Sequence, residues 1–202
     1  PSALVLIYGD ATPTLIGYNY TLSGYDTGDA ALDTVTGTLT GSTTYTAGSN
    51  IGSYNINYLS GTLTSTLGYG FTYANNAAAI TVNKKTINTA LQGTVSKTYD
   101  GNTVATLGAG NYSLTGIFGA DAITIGNVSG TYDNKNVGTG KTVTVSGLTL
   151  SGAKAGNYQL GSTTVNGAVG VIIALKQQII WGAPTRRKAV ETLGSRLARS
   201  VS

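Results

Sequence analysis

The chain has 202 residues, room for two small domains, and 41% of them are hydrophobic, so it can build cores instead of remaining a disordered linker. It contains no Cys, His or Met, which removes disulfides, thiol and imidazole catalysis and thiolate metal sites. Only 10% of residues are charged, and the net +4 belongs to the tail: residues 1–175 carry six Lys against seven Asp, residues 176–202 six basic residues against Glu191. A near-neutral body argues against nucleic-acid binding.

Glycine is abundant (29 residues) but proline is scarce (3) and no Gly-X-Y period appears, so this is not a collagen-like chain. Thr, Val, Ile and Tyr favour pleated strands, while Gly, Asn and Asp favour the turns between them. The body is expected to be all-β.

In chain order, Ala3–Ile7 reads as a first strand, being five apolar residues without the basic start of a signal peptide. Tyr8-Gly9-Asp10 follows as a turn. Tyr18, Tyr20 and Tyr25 form a candidate binding surface for sugar or protein, because tyrosine offers broad contact area at low entropic cost. Strand alternation places most tyrosines half-buried instead. Asp26, Asp29 and Asp33 bring three carboxylates into a short stretch and make a candidate Ca²⁺ site. They lack the alternating spacing and closing Glu of a calcium loop, so a solvated turn is the first expectation.

Val35, Gly37 and Leu39 then alternate with Thr34, Thr36, Thr38 and Thr40, as an apolar row against a core and a Thr row outside. With Thr62, Thr64 and Thr66 these threonines could order water or ice, though a solvated strand face is the simpler reading. Tyr54, Ile56 and Tyr58 alternate with Asn55, Asn57 and Leu59, and Ile80 and Val82 flank Thr81. A boundary is expected near Asn83-Lys84-Lys85, giving domains 1–84 and 85–175 with a short, stiff joint and no Gly/Ser linker.

In Tyr99-Asp100-Gly101-Asn102 the Asp and Asn side chains can cap their own turn, Gly101 supplies a positive φ, and Tyr99 covers the core edge. Ile123 and Ile125 flank Thr124, and Val143 and Val145 alternate with Thr142, Thr144 and Ser146. Gly138-Thr139-Gly140-Lys141-Thr142 superficially resembles a phosphate loop but lacks the four-residue gap between glycines, and reads as the start of a strand. Residues 176–202 form a basic tail. Within it Val190, Leu193, Leu197 and Val201 fall at helical spacing after a possible N-cap at Thr185, and Gly194 weakens the pattern. The tail is read as a weak helix or disordered; a basic helix there would suit a membrane surface or a partner groove. No stretch approaches the roughly 20 apolar residues of a membrane helix.

The strongest signal is a repeat about 90 residues long. Tyr8-Gly9-Asp10…Leu15…Tyr20-Thr21-Leu22-x-Gly24 returns as Tyr99-Asp100-Gly101…Leu107…Tyr112-Ser113-Leu114-x-Gly116, and each copy ends in an apolar run. Two tandem small β-sandwich-like domains are therefore expected. A β-solenoid is the alternative fold, but it would show a period of roughly 20 residues, and none is seen. Duplication of Asp10 and Asp100 suits repeated turns better than a single site. The chain reads as a piece of something longer.

The second copy closely resembles the YDG domain of filamentous-haemagglutinin-type bacterial surface proteins. The residues concerned are Lys97–Thr103, Tyr112, Gly116, Asp121, Val128–Tyr132, Asn136–Lys141, Leu148–Gly152 and Ala155-Gly156-Asn157-Tyr158. The first copy is similar to the MBG domain of the same proteins through Tyr8-Gly9-Asp10, Tyr45–Gly48 and Ile51–Tyr54. It departs where Gly68-Tyr69-Gly70 stands in place of Gly-Asn-Tyr. The resemblance implies export to the bacterial surface, association with the outer membrane, and repeat modules in an adhesin stalk whose partners are sister repeats.

The leading expectation is thus a non-enzymatic stalk or adhesive module without a cofactor. The alternative is a module that binds carbohydrate, or ice, directly through its Tyr or Thr faces, with a host or environmental glycan or protein as partner. An enzyme is not expected: without His or Cys a nucleophile needs Lys or a carboxylate as base, and the only Glu lies in the tail.

Overall fold

The computed structural model describes residues 4–17, 20–59, 61–73, 76–126 and 129–179. In the amino-terminal half, β1 (Leu4–Ile7) runs parallel to β6 (Asn76–Asn83). That strand lies antiparallel to β4 (Gly52–Leu59), which pairs in turn with β3 (Thr40–Ser42). The alternation read from sequence sets the inner face: Ile56 is buried between exposed Asn55 and Asn57, while Ile80 and Val82 are buried on the neighbouring strand. A ribbon of β2 (Val35–Thr36) and β5 (Thr64–Ser65) lies beside this sheet. Here the threonines meet across the strands, Thr36 Oγ1 to Thr64 Oγ1 at 3.0 Å and Thr38 Oγ1 to Thr62 Oγ1 at 3.2 Å. The Thr rows thus bond to each other along the ribbon.

One residue separates β6 from β7 (Lys85–Leu91), which opens the carboxyl-terminal half. On one flank β7 pairs antiparallel with β10 (Tyr112–Thr115); on the other it pairs parallel with β15 (Tyr158–Leu160). The second sheet has five strands in the order β8 (Val95–Thr98), β16 (Thr164–Ile173), β13 (Gly138–Ser146), β12 (Ser129–Tyr132) and β9 (Val104–Thr106). β11 (Thr124–Ile125) and β14 (Leu150–Ser151) form a small ribbon. All of this is β-structure in sandwich-like layers with no solenoid coil.

The two halves repeat one topology. The order β1-β6-β4-β3, with its single parallel pair, returns as β8-β16-β13-β12. Individual bonds match as well: Tyr8 N–H donates to Asn83 O at 2.9 Å, and Tyr99 N–H donates to Ile173 O at 2.8 Å. Gly52 faces Val82 as Gly138 faces Ile172, which makes Asn50-Ile51 the counterpart of Asn136-Val137. One part of the sequence repeat diverges. Tyr112–Thr115 is a strand because β7 lies alongside it, whereas Tyr20–Gly24 has no strand beside it among the described residues and stays irregular.

Burial follows the junction and not only the halves. One cluster joins Tyr8, Tyr45, Ile80 and Val82 of the first half to Ile87, Ile123 and Tyr158 of the second. A second cluster, with Val95, Leu107, Tyr132, Val143, Val145 and Ile172, lies wholly within the second half. Each large apolar side chain fully buried contributes about 1.5–3 kcal/mol, so a core shared across the junction couples the halves energetically. Ala174–Ile179 is exposed and without regular structure. The rest of the basic tail, with Thr185 and its helical spacing, lies outside the described residues. No helix among the described residues is long and apolar enough to cross a membrane.

Candidate functional site

One group of polar side chains meets across the junction. Tyr8 follows β1, and the Tyr8 N–H bond to Asn83 fixes its backbone beside the end of β6. Its ring points into the shared core with 1% exposure. From the other side come Asp121, before β11, and Tyr158, which opens β15. Tyr8 donates its hydroxyl to Asp121 Oδ2 at 2.9 Å, and Tyr158 donates to the same oxygen at 2.6 Å. Phe118 N–H in turn donates to the Tyr158 hydroxyl at 3.0 Å. The rings meet edge to face, Tyr8 with Tyr158 at 5.2 Å and with Phe118 at 5.7 Å.

A second set of bonds lies beside it. Asn157 Nδ2 donates to Asn50 Oδ1 at 3.0 Å, and Asn157 Oδ1 accepts from Ile51 N–H at 3.0 Å. Lys154 Nζ also reaches Asn50 Oδ1, at 3.1 Å. Gly9 is required here. Its φ is +90°, and a Cβ at this position would lie 2.5 Å from the Phe118 ring.

Burial, and then the bond to Asp121, push the Tyr158 phenol up to about 12. The same causes in the same order raise Tyr8. Both phenols are therefore held neutral, as donors. A carboxylate oxygen accepting from two buried hydroxyls, one from each half, is a structural clasp.

The clasp has a counterpart in the first half. Tyr69 donates to Asp29 Oδ2 at 2.7 Å and accepts from Asp26 N–H at 3.1 Å, repeating the relation of Tyr158 to Asp121 and Phe118. Tyr69 thus fills the role of Tyr158 where the first copy lacks Gly-Asn-Tyr. This also locates the three aspartates. Asp29 is bound to Tyr69, and Asp33 accepts from Ser65, Thr66, the Leu67 N–H and Tyr25. Burial pushes Asp33 upward, but those donors, led by Ser65, outweigh it and hold its carboxyl below the usual carboxylate range. Among the described residues no group of His, Cys, Asp and Glu is placed to hold a metal ion.

The tyrosines read as a binding surface are not placed alike. Tyr25 is partly buried, bonded to Asp33 and edge-on to Tyr69 at 5.0 Å. Tyr20 is 40% exposed, and Tyr18 lies outside the described residues. Both corner motifs form turns: Ile7 N–H donates to Asp10 Oδ2 at 2.8 Å, and Asn102 N–H to Asp100 Oδ1 at 3.2 Å. In the second corner Lys97 Nζ binds Asp100 and Asn102, which holds the Asp100 carboxyl below its ordinary range. Gly138–Lys141 does open a strand. The Lys141 ammonium lies only 8% exposed against Asp133 at 3.0 Å, an internal pairing.

Sequence reasoning noted Asp121, Asn157 and Tyr158 as parts of a motif, yet did not connect them to Tyr8, took Asn50 only as part of the Gly48-Ser49-Asn50 turn, and passed over Phe118. The detectable signal was the pairing of an aspartate with a tyrosine some 40 residues later in both copies.

The fold and this clasp define a protein of serial β-modules joined through a buried polar contact. Within it, residues 83–165 match the YDG domain family, so a YDG domain occupies most of the second half. No curated protein and no solved structure matches the chain.

Proposed function

We propose that the chain is a non-enzymatic stalk or adhesive repeat module of a large secreted bacterial surface protein of the filamentous-haemagglutinin type. In this reading the first half is an MBG-type module in series with the YDG domain. The supporting observation is the clasp: Tyr8, Asp121 and Tyr158 sit in a core that belongs to both halves, so the halves transmit force and orientation to each other. The conspicuous side chains of both copies are spent on turns and junctions, as expected of architecture. The sister repeats of the same surface protein are its natural partners.

The test is the relative motion of the halves. Residual dipolar couplings should fit one alignment tensor for both, and Asp121→Ala should split them into two. Independent tumbling of the halves in the unaltered chain would remove the stalk reading. Micromolar or tighter binding on a glycan array, lost on changing Tyr20, would replace it with direct recognition.

A further inference from the structure

The joint has two sides, and the first of them occurs twice in the chain. On the first half it is built from Tyr8, Asn50 and Ile51. The repeated register places Tyr99, Asn136 and Val137 at the corresponding points on the far end of the second half. In the joint, Tyr8 is buried and Ile51 is half-covered; at the far end Tyr99 is half-buried, Asn136 is exposed and Val137 is 52% exposed. The residue classes and the register match, and at the far end these positions are less covered by the described residues.

We propose that this end is a docking face for a further YDG-type module in series, which would present its own equivalents of Asp121, Asn157 and Tyr158. The proposal rests on the serial-module reading and adds a partner and a selection rule to it. Residues 174–202 cannot be the occupant, since they contain no Asn, Asp or Tyr. Nor can the second half of another copy of this chain, because its matching groups already hold Tyr8 and Asn50.

The selection rule comes from one difference. Phe118 lies on Gly9, where even a methyl group would come within 2.5 Å of the ring. The counterpart of Gly9 is Asp100, folded back onto Lys97 at 2.8 Å. A following module with Phe at the 118 position would collide with Asp100. One with a small polar residue there fits, so the order of modules is written into this pair.

The test is a full chain in which residues 84–173 are duplicated in line after Ile173, segmentally labelled, the added copy carrying Phe118→Ser. The Val137 N–H of the original copy should then exchange at about one tenth of its rate or slower, as a covered amide does. All three modules should share one alignment tensor, and Asn157→Ala in the added copy should reverse both effects. Independent tumbling of the Ser-bearing copy, with the original two halves still aligned, would overturn the proposal while leaving the stalk reading standing. Loss of alignment between the original halves would sink that reading instead. An added copy that keeps Phe118 should dock more weakly; docking equal to that of the Ser version would overturn the selection by Asp100.

Discussion

The Tyr8 hydroxyl and the Asp121 carboxylate, 113 positions apart in the chain, meet at 2.9 Å across the junction of the two halves. Hydrogen bonds to a charged group contribute about 1.5–3 kcal/mol, and a buried donor left unpaired costs about 1–3 kcal/mol. Tyr8→Phe removes only the bond and should lower stability by about 2 kcal/mol. Asp121→Ala strands two buried hydroxyls and should cost about 3–5 kcal/mol. In a chain of this size that corresponds to a melting shift of about 6 to 20 °C. Because both changes remove the same contact, the double variant should fall short of the sum, which a double-mutant cycle in urea would show.

Gly9 and Gly101 occupy matching corners, with φ of +90° and +81°. Any side chain there carries the cost of a left-handed conformation, about 1–2 kcal/mol. Gly101 faces open space, whereas Gly9 lies against Phe118. Gly101→Ala should therefore cost about 1–2 kcal/mol, and Gly9→Ala about 1–3 kcal/mol more from overpacking. Adding Phe118→Ala to Gly9→Ala should recover part of the difference in thermal melts. No recovery would mean that the ring is not what limits the site.

The Tyr158 phenol is pushed from 10 to about 12 by burial and by the bond to Asp121. A group whose folded value lies above its unfolded one stabilises the fold fully below the unfolded value, and that contribution is lost as pH rises through the folded one. Stability should thus decline between pH 10 and about 12, with Tyr8 adding to the slope in the same direction. Tyr158→Phe should flatten the decline. Urea midpoints measured across this window, beside the tyrosinate absorbance, decide it.

The fold was largely legible in the sequence because it depends on period-two patterning: Ile56, Ile80, Val82, Val143 and Val145 all lie on the faces that alternation assigns them. The repeat was legible through Tyr8 and Tyr99, which make matching backbone bonds. The clasp was not. Asp121 and Tyr158 lie far from Tyr8 in sequence, and nothing local marks which side chains a parallel strand pairing brings together. Tyr25 was a candidate for binding beside the reading of most tyrosines as half-buried; it is half-buried, and its bond to Asp33, eight residues on, was not legible. The Thr rows lie on the exposed face, as alternation tells, but alternation does not tell that Thr36 and Thr64 face each other.

The two copies of the tyrosine–aspartate pair allow one further comparison, in which burial and the sharing of the aspartate differ. Tyr158 is 2% exposed and shares its aspartate with Tyr8, while Tyr69 is only partly buried and has Asp29 to itself. Water can replace the lost partner at Tyr69 but not at Tyr158. Tyr69→Phe should therefore cost about 0.5–1 kcal/mol and Tyr158→Phe about 2–3 kcal/mol, although both delete one hydroxyl. The ranking should also appear in local opening: amide exchange near Asp26 should change little in Tyr69→Phe, while exchange at Ile51 should rise in Tyr158→Phe because Asn157, the residue just before Tyr158, bonds to Ile51. Equal losses at the two sites would show that the joint adds nothing to a clasp each half already makes by itself.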